Sequence, residues 1–177
     1  MAFKVTALTD LPDVLIVTSD KFHDDRGYFM EMAKISEFKK LGLPDSFPQY
    51  NMSYSKKDVI RGLHYQHGEF AQGKLVYLIS GKVRDVFVDM RSDSPTYKKF
   101  QTIDLTGEDS TFIYIPPGFA HGFSVLSDEA YFLYACTKEY TKTAEGGIRF
   151  DDPTLDIDWG VTTPVVSEKD QLLPFLN

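Results

Sequence analysis

A few polar residues interrupt otherwise apolar, strand-like sequence. The segment Val59-Ile60-Arg61-Gly62-Leu63-His64-Tyr65-Gln66-His67 carries one guanidinium and two imidazoles. Side chains alternate along an extended chain, so Arg61, Leu63, Tyr65 and His67 share one face and Ile60, Gly62, His64 and Gln66 the other. Gly62 leaves room beside His64 for an approaching ligand. A histidine titrates near neutral pH and suits general-base work, but a barrel-wall histidine tied to a buried carbonyl fits the same pattern. In Gln72-Gly73-Lys74-Leu75-Val76 a lysine enters an apolar strand, as a fixed cation aimed inward or as an edge charge that blocks strand pairing. Tyr134 shares a face with Phe132 and Cys136, where core packing with a hydroxyl bonded at the rim competes with a role as a weak acid.

Ile115-Pro116-Pro117-Gly118-Phe119-Ala120-His121-Gly122-Phe123 fixes a turn that presents His121 at the start of a strand. Pro-x-Gly-x-x-His is half of a metal-binding pattern whose other half offers His-x-His and a glutamate. Here that half reads His64-Tyr65-Gln66-His67-Gly68-Glu69. Histidines three apart on a strand point to opposite faces and make poor joint ligands, so no metal site is expected. No Gly-x-Gly-x-x-Gly, Walker loop or Gly-x-Ser-x-Gly elbow occurs. Cys136 sits in an apolar aromatic run and reads as a buried, inert thiol. No cofactor is expected.

The elements that must position these groups are mostly strands. Phe3 to Leu8, Val14 to Thr18, Leu75 to Ile79, Val83 to Met90, Phe100 to Leu105, Phe112 to Ile115, Phe123 to Leu126 and Tyr131 to Thr137 are short and rich in Val, Ile, Thr, Phe and Tyr. Turn chemistry such as Ser80-Gly81-Lys82 and Ser92-Asp93-Ser94-Pro95 separates them. One helix is predicted, with Ile35, Phe38 and Leu41 on one face and Gly42 and Pro44 ending it. The pattern is all-β, an antiparallel sandwich or barrel of one domain over residues 1–177. A loop-rich tail punctuated by Pro153, Pro164 and Pro174 carries Leu155, Ile157, Trp159, Val165 and Val166, which predicts that it lies across the domain. Sheet edges are expected to be covered in a homodimer by exchange of amino-terminal strands.

The 177 residues are 42% hydrophobic, with 14 Phe, 10 Tyr and one Trp, enough for a sizeable core. A net charge of −7 argues against a general nucleic-acid binder, though two or three local cations suffice for one phosphate-bearing small molecule. The longest apolar runs are strand-sized, short of the roughly 20 residues of a membrane helix. The start of the chain lacks an export signal, and the lone cysteine permits no intrachain disulfide. A cytoplasmic protein without membrane contact is expected.

In order along the chain, Phe22 to Glu31, Asn51 to Ser55, Arg61 to Gln66, Gln72 to Val76, Val86 to Arg91, Ile115 to Phe123, Gly147 to Pro153 and Ser167 to Asp170 resemble the dTDP-4-dehydrorhamnose 3,5-epimerase family of cofactor-independent cupins. The pairing of Arg-Gly-Leu-His-Tyr-Gln with Pro-x-Gly-Phe-Ala-His-Gly-Phe is the most specific part. The resemblance implies a jelly-roll barrel, a homodimer, and epimerisation of a dTDP-linked 4-keto-6-deoxy sugar. It matches His64 to the base, Asp170 to the carboxylate behind it, Lys74 to the cation near the keto oxygen and Tyr134 to the opposite-face acid. Arg61 and His121 match residues around the sugar and diphosphate; Gln49, Asn51, Ser53 and Tyr140 match the nucleotide pocket; Phe22, Arg26 and Glu31 match residues reaching across the dimer. The chemistry is coherent. A C4 ketone acidifies the hydrogens on C3 and C5, and inversion needs a base on one face and an acid on the other.

Three readings compete with that one. A related nucleotide-sugar epimerase or ketoisomerase would share the barrel, a non-catalytic sugar-binding cupin should lack the base or acid, and a metal cupin would bind metal. The sequence departs from the family pattern at Asp58, where glycine is common, at Glu69-Phe70-Ala71, at Tyr77, and near Tyr140, which lacks a neighbouring proline.

Overall fold

The computed structural model describes residues 3–176. In chain order the strands are β1 (Lys4–Ala7), β2 (Leu15–Thr18), β3 (Lys21–Asp24), β4 (Gly27–Met30), β5 (Gln49–Lys56), β6 (Val59–Gln66), β7 (Lys74–Ser80), β8 (Lys82–Asp89), β9 (Phe100–Thr106), β10 (Thr111–Ile115), β11 (Phe119–Val125), β12 (Glu129–Cys136), β13 (Glu145–Gly147) and β14 (Val165–Val166). Two short helices, α1 (Ile35–Lys40) and α2 (Glu168–Gln171), complete the set. One six-stranded sheet runs β1-β2-β10-β7-β12-β5 and faces a second, β13-β6-β11-β8-β9. All pairings in these sheets are antiparallel except β14, which lies parallel to β6. The β3–β4 hairpin stands apart as a two-stranded ribbon. The jelly-roll expectation holds.

Period-two alternation sorts side chains into three layers. Val76 and Leu78 of β7, Ile113 and Ile115 of β10, and Phe132 of β12 meet Phe87 of β8 and Phe119 and Phe123 of β11 between the sheets. The odd-numbered set of β7, Leu75 and Tyr77, faces outward under Phe38 of α1. Across the second sheet, Val86, Val88 and Ala120 face outward beneath Leu155 and Trp159 of the tail. Burying whole aromatic side chains contributes about 1.5–3 kcal/mol each, which is why the tail stays down without regular structure. Ile157 and Val166 join that outer layer, but Val165 faces solvent. Within α1, Phe38 is fully buried and Ile35 is exposed, because one turn and a half offers a single row to the sheet.

The alternation that places Lys74, Asp85, His121 and Tyr134 inside breaks beside the site on β6; a second register shift, between Tyr131 and Phe132, lies at the far end of the β12–β7 pair. His121 pairs with His64 and Phe123 with Arg61, so Gly122 alone opposes both Gly62 and Leu63. This bulge rotates the strand by one residue. Ile60, Leu63 and Tyr65 therefore all pack outward, while Arg61 and His64 both face the interior. The expected sharing of a face by Arg61 and Leu63, and by Ile60 and His64, is thus corrected. Gly62 likewise makes room for the neighbouring strand and not for a ligand. A Cβ there would lie 2.6 Å from Gly122 Cα and 2.7 Å from the His121 carbonyl, at φ +114°. Asp58, at φ +65° in the β5–β6 turn, occupies the left-handed region, which explains why glycine suits that position.

Candidate active site

The inward polar residues line two adjoining cavities of about 300 and 280 Å³ that share His64, Lys74 and Tyr134. His64 comes from one sheet and Tyr134 from the other, so imidazole and phenol face each other across one space. Asp170 stands behind His64, its Oδ1 2.7 Å from Nε2. Asp170 is placed by α2, whose start is capped by Ser167 Oγ accepting from the Asp170 amide at 3.1 Å. The Gly62 amide donates to its other oxygen at 3.3 Å. Burial alone raises this carboxyl, but the hydrogen bonds and charge of His64 and the Gly62 amide outweigh it and hold Asp170 below the usual carboxylate range. An ionised Asp170 makes Nε2–H the donor and leaves the other His64 ring nitrogen with its lone pair.

Lys74 donates to the His64 carbonyl at 3.3 Å, and its Nζ lies 6.0 Å from the Tyr134 ring centroid. Burial pulls the lysine below its usual value. Burial likewise raises the Tyr134 phenol, keeping it protonated at neutral pH. Cys136 is buried beside Asn51, its thiol raised by burial.

The two ends of the site differ. At one, Arg61 donates through Nε to Ser55 Oγ at 2.9 Å and through a terminal nitrogen to the Tyr54 carbonyl at 3.1 Å, beside His121 and Ser53. At the other, Gln49 bonds Asn51 at 3.0 Å and accepts from the Tyr140 amide at 2.6 Å. The half-exposed Tyr140 ring caps this end, its hydroxyl 2.9 Å from Glu145. Ser53 was expected among the Gln49, Asn51 and Tyr140 group. Two residues along β5 shift it by roughly 7 Å toward Arg61, and its buried hydroxyl has no partner there among the described residues.

Phe22, Arg26 and Glu31 do not join these cavities within the chain. Phe22 and Arg26 are exposed on the β3–β4 ribbon, where Arg26 pairs with Asp24 at 2.6 Å, and Glu31 follows β4. Several wall residues have no role assigned from the sequence, although all but Glu145 lie inside the segments that carry the family resemblance. Glu145 binds both Tyr140 and, at 2.5 Å, Lys169; Gln66, Gln72 and Tyr65 line the same end. Glu145 sits beside two glycines with nothing to mark it, and Lys169 stands next to Asp170 in one such segment without a role of its own. Among the described residues no group of three or more His, Cys, Asp or Glu is arranged to hold a metal ion.

Residues 8–177 match the family model for dTDP-4-dehydrorhamnose 3,5-epimerase. The dTDP-4-dehydrorhamnose 3,5-epimerase of Shigella flexneri is 47% identical over 163 residues, covering 92% of this chain and 90% of the relative. The enzyme of that name from Bacillus anthracis str. Ames, solved with TDP and PPi bound, superposes with a TM-score of 0.95 at 38% identity over 99% of this chain and all of that one. A dTDP-6-deoxy-D-glucose-3,5-epimerase from Legionella pneumophila Philadelphia 1, in complex with dTDP-4-keto-L-rhamnose, gives 0.92 at 40% identity over 98% and 93% of the two chains. This chain belongs to the dTDP-4-dehydrorhamnose 3,5-epimerase family.

Proposed function

We propose that this chain is an isomerase that converts dTDP-4-dehydro-6-deoxy-D-glucose to dTDP-4-dehydro-L-rhamnose by inverting C3 and C5. The observation that carries the reading is the opposition of a carboxylate-backed His64 and a protonated Tyr134 across one cavity. His64 takes the proton from the carbon beside the C4 ketone, and the electron pair moves into a C3–C4 or C4–C5 enolate. Lys74 stabilises the developing negative charge on oxygen, a preorganised interaction commonly worth about 3–4 kcal/mol in the transition state. Tyr134 returns a proton from the opposite face, so the carbon inverts. The same cycle then serves the other carbon, and solvent restores His64 and Tyr134. Carbon keeps its oxidation level throughout.

The nucleotide belongs at the Gln49, Asn51 and Tyr140 end, where an exposed tyrosine ring offers a stacking platform for a base. Arg61 and His121, with Ser53, belong at the sugar and diphosphate. A homodimer would bring Phe22, Arg26 and Glu31 of the ribbon to a second copy's site. Support comes from the large apolar side chains Phe22, Tyr28 and Phe29 left exposed on that ribbon and Tyr50, Met52 and Tyr54 on the edge strand β5. The pairing of β1 and β2 within this chain's own sheet supports the ribbon as the part of the amino-terminal strands that crosses. Cytoplasmic residence rests on the nucleotide-sugar substrate class; among the described residues no helix is long and apolar enough to cross a membrane.

Incubation with dTDP-4-dehydro-6-deoxy-D-glucose in D2O, followed by NMR, tests the reading. Deuterium is expected at both C3 and C5 with formation of the L-rhamno product. Exchange at one carbon alone, or at neither, overturns it. Light scattering that finds a fully active monomer overturns the dimer.

A further inference from the structure

The centre of β8 contains an aspartate where its inward neighbours Val83 and Phe87 are core residues. Asp85 is completely buried, and no fold gains stability from an unpartnered carboxylate in such a place. One of its oxygens accepts from His121 Nε2–H at 2.6 Å. The other, Oδ2, has no hydrogen-bond partner among the described residues. The His121 ring is held between Phe87, 5.9 Å away and tilted 10°, and Phe132, 5.9 Å away and tilted 27°. That sandwich leaves the imidazole no rotation by which to seek another acceptor. His121 in turn forms part of the cavity wall beside Lys74.

Among the described residues Lys74 forms no contact ion pair. Among the described residues its ammonium makes one hydrogen bond, to the His64 carbonyl, and no carboxylate lies within 4.0 Å. The titratable groups that face it are His64 on β6, Asp85 on β8, His121 on β11, Tyr134 and Cys136 on β12, and Glu145 on β13. Tyr134 and Cys136 are held protonated by burial and supply no charge. Glu145 is engaged by Lys169 and Tyr140. Burial raises the Asp85 carboxyl while His121, Lys74 and the Val86 amide oppose that rise, and among the described residues no basic side chain other than His121 lies within ion-pair distance of it.

We propose that Asp85 is a positioning residue of the pocket, a buried counter-charge that fixes the His121 tautomer and keeps the Lys74 ammonium charged beneath the keto oxygen. The inference rests on the epimerase reading of Lys74. Burial draws Lys74 toward the neutral amine and the Asp85 charge opposes that pull, so loss of the charge lowers the lysine further. With Asp85 ionised and His121 neutral, His121 turns its other ring nitrogen to the sugar as an acceptor, and the buried Lys74–Asp85 pair has no net charge.

The test is Asp85→Asn in the full chain, which keeps the shape and an acceptor for Nε2–H. The alkaline limb of kcat/KM for deuterium exchange is expected to move down by about one pH unit or more. In the neutral range kcat falls about tenfold, whereas the Kd for dTDP stays unchanged because the nucleotide end is untouched. An unmoved alkaline limb in a folded variant overturns the proposal and leaves Asp85 a structural residue. A thermal double-mutant cycle covers the case in which Asp85→Asn folds poorly. Asp85→Asn with Lys74→Met is expected to melt above either single variant, since each single change strands one buried charge. Additive losses overturn the charge pairing. Absence of exchange in the unaltered protein would instead strike the epimerase reading, while the melting cycle still decides the pairing.

Discussion

Two histidine–aspartate pairs stand side by side in this barrel, on strands where His64 and His121 are direct cross-strand neighbours. Their contacts are almost the same length, 2.7 and 2.6 Å, yet their surroundings differ at every other point. His64 is about a third exposed, and its aspartate has both oxygens bonded, the second by a backbone amide. His121 is 7% exposed, and its aspartate keeps an orphan oxygen in an apolar layer. Burial raises Asp85, whereas His64 and the Gly62 amide overcome burial and lower Asp170. The first pair presents its imidazole at the cavity surface, where a substrate can meet it. The second is a fixed arrangement of charge. Equal hydrogen-bond length says little about role; what surrounds the carboxylate decides it.

The comparison sharpens with substitution. His64→Ala is expected to cut deuterium exchange by about 10⁴-fold, the upper end of what a positioned base supplies, with dTDP affinity retained. Asp170→Asn keeps the shape but not the charge, and should cost about 10³-fold because the imidazole loses the group that orients it. Measured beside Asp85→Asn, it should show the far larger loss; parity between the two would erase the distinction. Lys74→Met is expected to lower kcat by about 10²-fold with little change in dTDP binding, read by steady-state kinetics and calorimetry. Tyr140→Ala should weaken dTDP about tenfold at nearly constant kcat, since it removes a stacking face and no reacting group.

The smallest effect concerns acid stability. A carboxyl lowered on folding stabilises the protein above its ordinary value of 3.8, and this contribution fades as pH falls through the folded value. Melting curves of the native chain and Asp170→Asn should therefore converge toward low pH. A gap that stays constant across that range would mean that the carboxylate's charge does not stabilise the fold.

Much of this was legible before any coordinates, where alternation runs unbroken. Lys74 precedes Val76 and Leu78, and Tyr134 follows Phe132, so period two alone turns both groups inward. The tail's aromatic and aliphatic residues announced a covering layer, apart from Val165. Three features lay beyond such reading. The bulge at Gly62 depends on how closely β11 approaches, a tertiary fact that shifts Arg61 to the side of His64. The four-residue α2 is too short for periodicity, although Ser167 three residues before Asp170 is a capping signal. The β3–β4 ribbon is mostly exposed and packs only Met30 against the layer around Phe38, so little buried pattern betrayed it. Asp85 did carry a signal, a carboxylate in the middle of the apolar run Val83 to Met90, but its partner on β11 is 36 residues away.

Site-resolved deuterium exchange at C3 and C5, followed together with inversion in Tyr134→Phe and His64→Ala, is the most direct measurement of a base and an acid on opposite walls. Tyr134→Phe is expected to keep exchanging at one or both carbons while inverting poorly, and His64→Ala to lose both. Exchange in His64→Ala equal to that of the native chain, or undiminished inversion in Tyr134→Phe, would contradict the assignment of the two walls.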